Sequence, residues 1–190
     1  MMNVARIEHI LRAAGDATGQ TDFVLVGSAA IFLWVTVVPD TMAMTREADI
    51  YAPVPDSAEA ERIASELDAI LGHSSPFDNE YGYYCDGVGP DTALLPTSWQ
   101  DRAKNFSSPN TNGVSALVPH PIDLAISKLA APREKDMEWL VAGVAAGIFS
   151  ISELRRGIDA LDADDDRLDI KFLNDRMLTL ENRARGAIGP

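Results

Sequence analysis

Apolar and polar positions follow two rhythms along this chain. Ile7, Ile10 and Leu11 recur at helical spacing, which predicts a helix over residues 3–14 that stops near Gly15. The run Phe23–Val26 is continuously apolar, as a strand buried on both faces would be. Gly27-Ser28 then reads as a turn and Ala29–Val35 as a short helix beneath the strand, with Pro39 ending the unit. Alternation in Ala48-Asp49-Ile50-Tyr51 predicts a second strand, closed by Pro53 and Pro55. From Ser57 to Leu71 the period is helical again: Ser57 is placed to cap, Ile63, Leu67, Ile70 and Leu71 form the stripe, and Gly72 ends it.

Tyr83-Tyr84-Cys85, Leu94-Leu95 and Val114–Val118 have strand character, and Pro119 and Pro121 mark a boundary. Beyond it the pattern is helical throughout, with helices predicted over 122–130, 133–147, 151–161 and 170–185. Strands mixed with helices come first and helices alone follow. The fold class is therefore α/β or α+β: a mixed sheet flanked by helices in a core over 1–118, and a helical region over 119–190 packed on it.

At 190 residues, 46% hydrophobic and 24% charged, the chain can bury one good core. Its formal charge of −13 changes the picture more, because so acidic a surface repels polyanions and disfavours nonspecific nucleic-acid binding. The lone Cys85 excludes an internal disulfide, and no CxxC or HExxH spacing points to zinc. His9 and the charges around it make the first residues an amphipathic helix rather than a signal peptide. The apolar stretch Phe23–Val38 spans 16 residues and contains Gly27, Ser28 and Thr36, short of the roughly 20 a bilayer requires. No membrane partner and a cytoplasmic location are the expectations.

Two features carry candidate chemistry. Gly27-Ser28 follows an apolar strand and opens a helix, the context of a phosphate-cradling turn, although such turns are also routine connections. Glu47 and Asp49 lie two apart in a strand, so both side chains project from one face. Neighbouring carboxylates repel unless a cation lies between them, and magnesium suits such oxygen ligands together with substrate phosphates. The bland alternative is a solvated strand edge whose acids pair with Arg46. GxGxxG, the P-loop and the GxSxG elbow are all absent.

Taken together, VLVGSAA, TREADIY and the later run SKLAAPREKDMEWL (Ser127–Leu140) resemble the nucleotidyltransferase fold of DNA polymerase beta-like enzymes. The closer resemblance is to a bacterial branch related to the nucleotidyltransferases of abortive-infection toxin–antitoxin systems, and it covers most of residues 20–160. It implies that Gly27 and Ser28 hold the triphosphate and that Glu47 and Asp49 bind Mg2+. It implies Asp86 as a third carboxylate, metal ligand and base, the alternative being a turn Asp before Gly87. Lys128 and Arg133 match cations that offset phosphate charge; for Lys135 and Asp136 the favoured reading is a solvated helix face. Glu47 stands where active relatives usually carry Asp, and 18 residues separate Ser28 from Glu47, more than the usual spacing. An extended helix or inserted loop through Val37–Met44 would account for the excess.

The implied function is magnesium-dependent transfer of NMP from an NTP to a hydroxyl of RNA or protein. The alternative is a silent binding module with a cognate toxin or antitoxin as partner, which an acidic protein also suits. The remaining candidates have structural readings. Trp99 and Arg102 could stack on a base or cap the core, and His73 and His120 lie in loops without an evident partner. The acids from Asp162 to Asp166 read as a solvated turn or helix cap, and Cys85 as a small buried hydrophobe.

Overall fold

The structure, a computed structural model, describes residues 1–162 and 165–188. The elements run α1 (Val4–Thr18), β1 (Asp22–Val26), α2 (Asp40–Ala43), β2 (Glu47–Tyr51), α3 (Ser57–Leu71), α4 (Pro76–Tyr81), β3 (Tyr84–Gly87), β4 (Lys104–Phe106) and β5 (Ser115–Val118). Four helices follow: α5 (Pro121–Ala130), α6 (Glu134–Ala145), α7 (Ile151–Ile158) and α8 (Ile170–Ile188). The mixed α/β class and the helical C-terminal part agree with the hydrophobic pattern.

The five strands form one sheet in the order β3-β2-β1-β5-β4. β1 runs antiparallel to β2 and parallel to β5, β2 and β3 are parallel, and β4 closes the far side antiparallel to β5. Strand alternation sorts the sheet into two faces. Phe23, Leu25, Ala48, Ile50, Cys85, Ala116 and Val118 point inward, into one buried cluster with Ile7, Ile10 and Leu11 of α1, Ile63 and Leu67 of α3, and Leu124 and Ile126 of α5. Val24 and Val26 point to the other face, where Ala93, Leu95 and Trp99 of the β3–β4 connection cover them. Glu47 and Asp49 share that second face.

Several local expectations are corrected. α1 continues past Gly15, which passes close to Val114, and ends at Gly19 in the left-handed region. Asp56, not Ser57, caps α3, accepting from the Glu59 N–H at 2.9 Å. Ile70 lies outside the buried stripe, 44% exposed. Ser28–Leu33 is a 3-10 turn rather than an α-helix, and the excess spacing before Glu47 is taken up partly by α2. Leu94-Leu95 is not a strand; it packs as connection, and the fifth strand is β4. α7 stops at Ile158, short of 161.

Trp99 is core-facing and Arg102 pairs with Asp123 at 2.5 Å, which favours structural roles for both. His120 caps α5, its Nδ1 accepting from the Ile122 N–H at 3.3 Å, and packs edge-on against Trp34. His73 contacts Ser74 and the Tyr84 ring. Cys85 is buried, and burial pushes its thiol well above the usual range. Of the acidic run at 162–166, Ala163 and Asp164 lie outside the described residues, while Asp165 pairs with Arg167 at 2.5 Å.

α3 packs close over the inner face of β3. The bare Cα of Gly87 allows this, since a Cβ there would lie 2.2 Å from the Ala64 carbonyl oxygen. The Gly87 N–H donates to Asp68 Oδ1 at 2.7 Å. Among the described residues, no helix is long and apolar enough to cross a membrane.

Candidate active site

β1 delivers its terminal turn directly beside the acids of β2. Val26 is in register with Asp49, and the chain then enters Gly27 at φ +69°, ψ −164°, a conformation that favours glycine. A Cβ at Gly27 would lie 1.9 Å from Asp49 Oδ2, so glycine is required by conformation and by space. The 3-10 turn that begins at Ser28 has only six residues, too short for a sizeable dipole. Positive charge at this turn comes from side chains instead.

Lys128 of α5 supplies it. Only 7% exposed, its Nζ donates to Ser28 Oγ at 2.9 Å and to Asp136 Oδ1 at 2.9 Å, and lies 5.0 Å from the centre of the Trp139 ring. Arg133 donates from Nε to the second oxygen of Asp136 at 2.6 Å. Burial pushes the Lys128 ammonium down, and Asp136 opposes that shift. Burial also works to raise Asp136, but Lys128 and Arg133 outweigh it and hold the carboxylate below its usual range. Asp136 is thus a buried anchor for both cations, and the solvated-face reading of it is corrected.

The carboxylates face this group across a cavity of about 150 Å³, bordered by Gly27, Ser28, Glu47, Asp49, Lys128 and Arg133 among others. That is below the roughly 300–1,000 Å³ of a full ligand site, and matches a metal-bound polyphosphate better than a whole nucleotide. Asp49 is mostly buried; burial, Glu47 and Asp86 together push its carboxyl up to about 7. Asp86 is in register with Asp49 on the neighbouring strand, and is itself raised by burial, Glu47 and Asp68. It borders neither this cavity nor the one beyond Lys128. Tyr84, in register with Glu47, donates its phenol to Glu47 Oε2 at 3.0 Å.

The donor set suits a hard divalent cation. Asp49 makes no hydrogen bond or ion pair among the described residues, although two other carboxylates raise it. Among the described residues, no group of three or more His, Cys, Asp or Glu side chains is disposed to hold a metal ion. Magnesium typically takes one or two protein carboxylates and completes its shell with water and substrate phosphate oxygens, so Glu47 and Asp49 fit a cation that arrives with its phosphates.

A family model described as a nucleotidyltransferase of unknown function (DUF6036) matches residues 3–178. The chain belongs to this family. No curated protein and no solved structure matches the chain. The nucleotidyltransferase family match spans the Gly27-Ser28 turn, the β2 acids and the Lys128–Asp136 pair alike. Asp136, read from the sequence as solvated, and Tyr84, read only as a strand residue, are the site residues whose roles the sequence pattern did not give. Asp136 had a signal: it precedes Trp139 by three and Leu140 by four, the spacing of the buried stripe of α6.

Proposed function

We propose that the chain is a magnesium-dependent nucleotidyltransferase that moves NMP from an NTP to a hydroxyl of RNA or protein. One observation carries this reading: Gly27, with no room for a side chain, lies against Asp49 in the wall of a cavity that Lys128, bonded to Ser28, also borders. Glu47 and Asp49 would hold the metal, which when bound would neutralise phosphate charge. Ser28, Lys128 and Arg133 would receive the triphosphate, and Asp136 keeps both cations aimed. Glu47 borders both cavities and is the carboxylate an acceptor hydroxyl can reach, so its Oε atoms would take the proton. Asp86, one strand over, would add to the negative charge around Asp49 that the cation relieves.

Isothermal titration with each NTP, with and without magnesium, tests the site. Asp49→Ala should abolish magnesium-dependent binding while the fold survives; equal binding by wild type and variant would falsify the assignment. A silent binding module, one half of a toxin–antitoxin pair of the abortive-infection type, is the second reading. Glu47 in place of the usual Asp and the net charge of −13 favour it. Labelled NTP incubated with RNA and protein acceptors separates the two, since the silent module binds without transferring label.

A further inference from the structure

A second cavity, of about 240 Å³, adjoins the first on the far side of Lys128, between α2 and α6. The two share the walls Ser28, Glu47, Lys128, Lys135 and Asp136. They differ in what each adds. The first adds Asp49 and Arg133, a carboxylate for metal and a further cation for phosphate. The second adds an acid, Glu138, two threonines, Thr41 and Thr45, and an apolar wall of Met42, Met44 and Trp139. An anionic donor therefore belongs in the first chamber. In-line transfer requires the acceptor to approach the α-phosphorus from the side opposite the leaving pyrophosphate. The second chamber opens onto the shared wall at Glu47, which suits that approach.

We infer that the second chamber receives a hydroxyl side chain of a protein segment with basic flanks, and that the enzyme nucleotidylates protein rather than RNA. This rests on the nucleotidyltransferase reading above. Charge is the first ground. The chamber is bordered by three acids, Glu47, Asp136 and Glu138, and two cations, Lys128 and Lys135, so its walls lean negative in a chain carrying −13 overall. An RNA strand would bring phosphates against those acids, and two lysines, one of them bonded to Asp136, do not make the cationic track that strand binding requires. Wall chemistry is the second ground. Met44 is 78% exposed at the chamber, and flexible thioethers adapt to varied side chains, as peptide-binding surfaces exploit. In the reaction the acceptor oxygen forms a bond to the α-phosphorus as the bond to the β-phosphate bridging oxygen breaks. Pyrophosphate leaves with that electron pair, and the hydroxyl proton passes to Glu47 and then to water.

The test uses the full chain, magnesium and α-labelled NTPs with two probes: lysine-flanked pentapeptides carrying Ser, Thr or Tyr, and single-stranded RNA with a free 3′-hydroxyl. Label on a peptide and none on RNA is the expected result. Label on RNA alone overturns the inference. So does NTP binding, measured separately by titration, with neither probe labelled; that outcome leaves the nucleotide site intact. Absence of NTP binding brings down the underlying reading instead. Glu138→Lys, at an exposed position, should raise the peptide KM about tenfold while kcat and NTP affinity move little. Met44→Arg should raise it similarly. Peptide KM values unmoved by both substitutions overturn the chamber as acceptor site.

Discussion

Gly27 and Asp49 are so close that a methyl group on the first would overlap a carboxylate oxygen of the second, at 1.9 Å. Strand register brings the two together, since Val26 is already opposite Asp49 and the next residue must turn over it. Gly27→Ala meets both this overlap and a positive φ. It should lower stability by about 1–3 kcal/mol and abolish NTP binding. Thermal melts and nucleotide titration check it, and a variant that binds normally would contradict the geometry.

Asp49 gives a pH signature. Its folded value of about 7 lies above the ordinary 3.8, so the native state holds a proton that the unfolded chain releases between them. Stability attributable to this group therefore falls as pH rises through that window. Asp49→Asn removes the cost: its melting temperature should exceed wild type at about pH 8 and approach it near pH 4. Parallel melting profiles for the two proteins would rule this out. Saturating magnesium with NTP should narrow the difference at high pH, because the cation binds the ionised form.

Lys128 and Asp136 form a buried pair, and removing one partner strands the other. Asp136→Ala should destabilise by about 3–5 kcal/mol, more than a surface substitution could. Asp136 is held below its usual range, so its stabilisation is present above the unfolded value near 3.8 and disappears as pH falls through the lower folded value. Denaturant titrations at neutral and acid pH should show the wild-type advantage over Asp136→Asn shrinking in acid. A gap that widens in acid would refute the pairing.

Arg102 holds the β3–β4 connection to α5 through Asp123, which is fully buried and has one oxygen, Oδ2, without a hydrogen-bond partner. Burial raises Asp123, with Arg102 opposing. Arg102→Ala should cost about 3 kcal/mol and loosen the connection over Val24 and Val26. Asp123→Asn in the same background should recover part of that loss. Hydrogen exchange across residues 88–103 reports the loosening directly.

Much of the fold was legible because its elements are strongly periodic. The run at β1, the alternation at β2 and the stripes of α1 and α3 need only burial to explain them. β4 was hidden because three residues, two of them exposed, carry no period. α2 was hidden by its four-residue length. At the site, Gly27, Ser28, Glu47 and Asp49 lie close in sequence and converge through one strand pairing. The Lys128–Asp136 pair joins two helices, and the charged neighbours of Asp136 disguised a buried acid as solvated surface. Tyr84 could not be assigned to Glu47 before the parallel register of β2 and β3 was known.

The close packing of α3 over Gly87 has a consequence for self-association. The Gly87 amide, which an added strand would otherwise pair with, is already satisfied by Asp68 of α3. Sheet extension from the β3 side is thereby disfavoured, and at the other end, among the described residues, the margin is three-residue β4 with Lys104 exposed on it. Edge-to-edge stacking of copies is therefore disfavoured at both ends of the sheet.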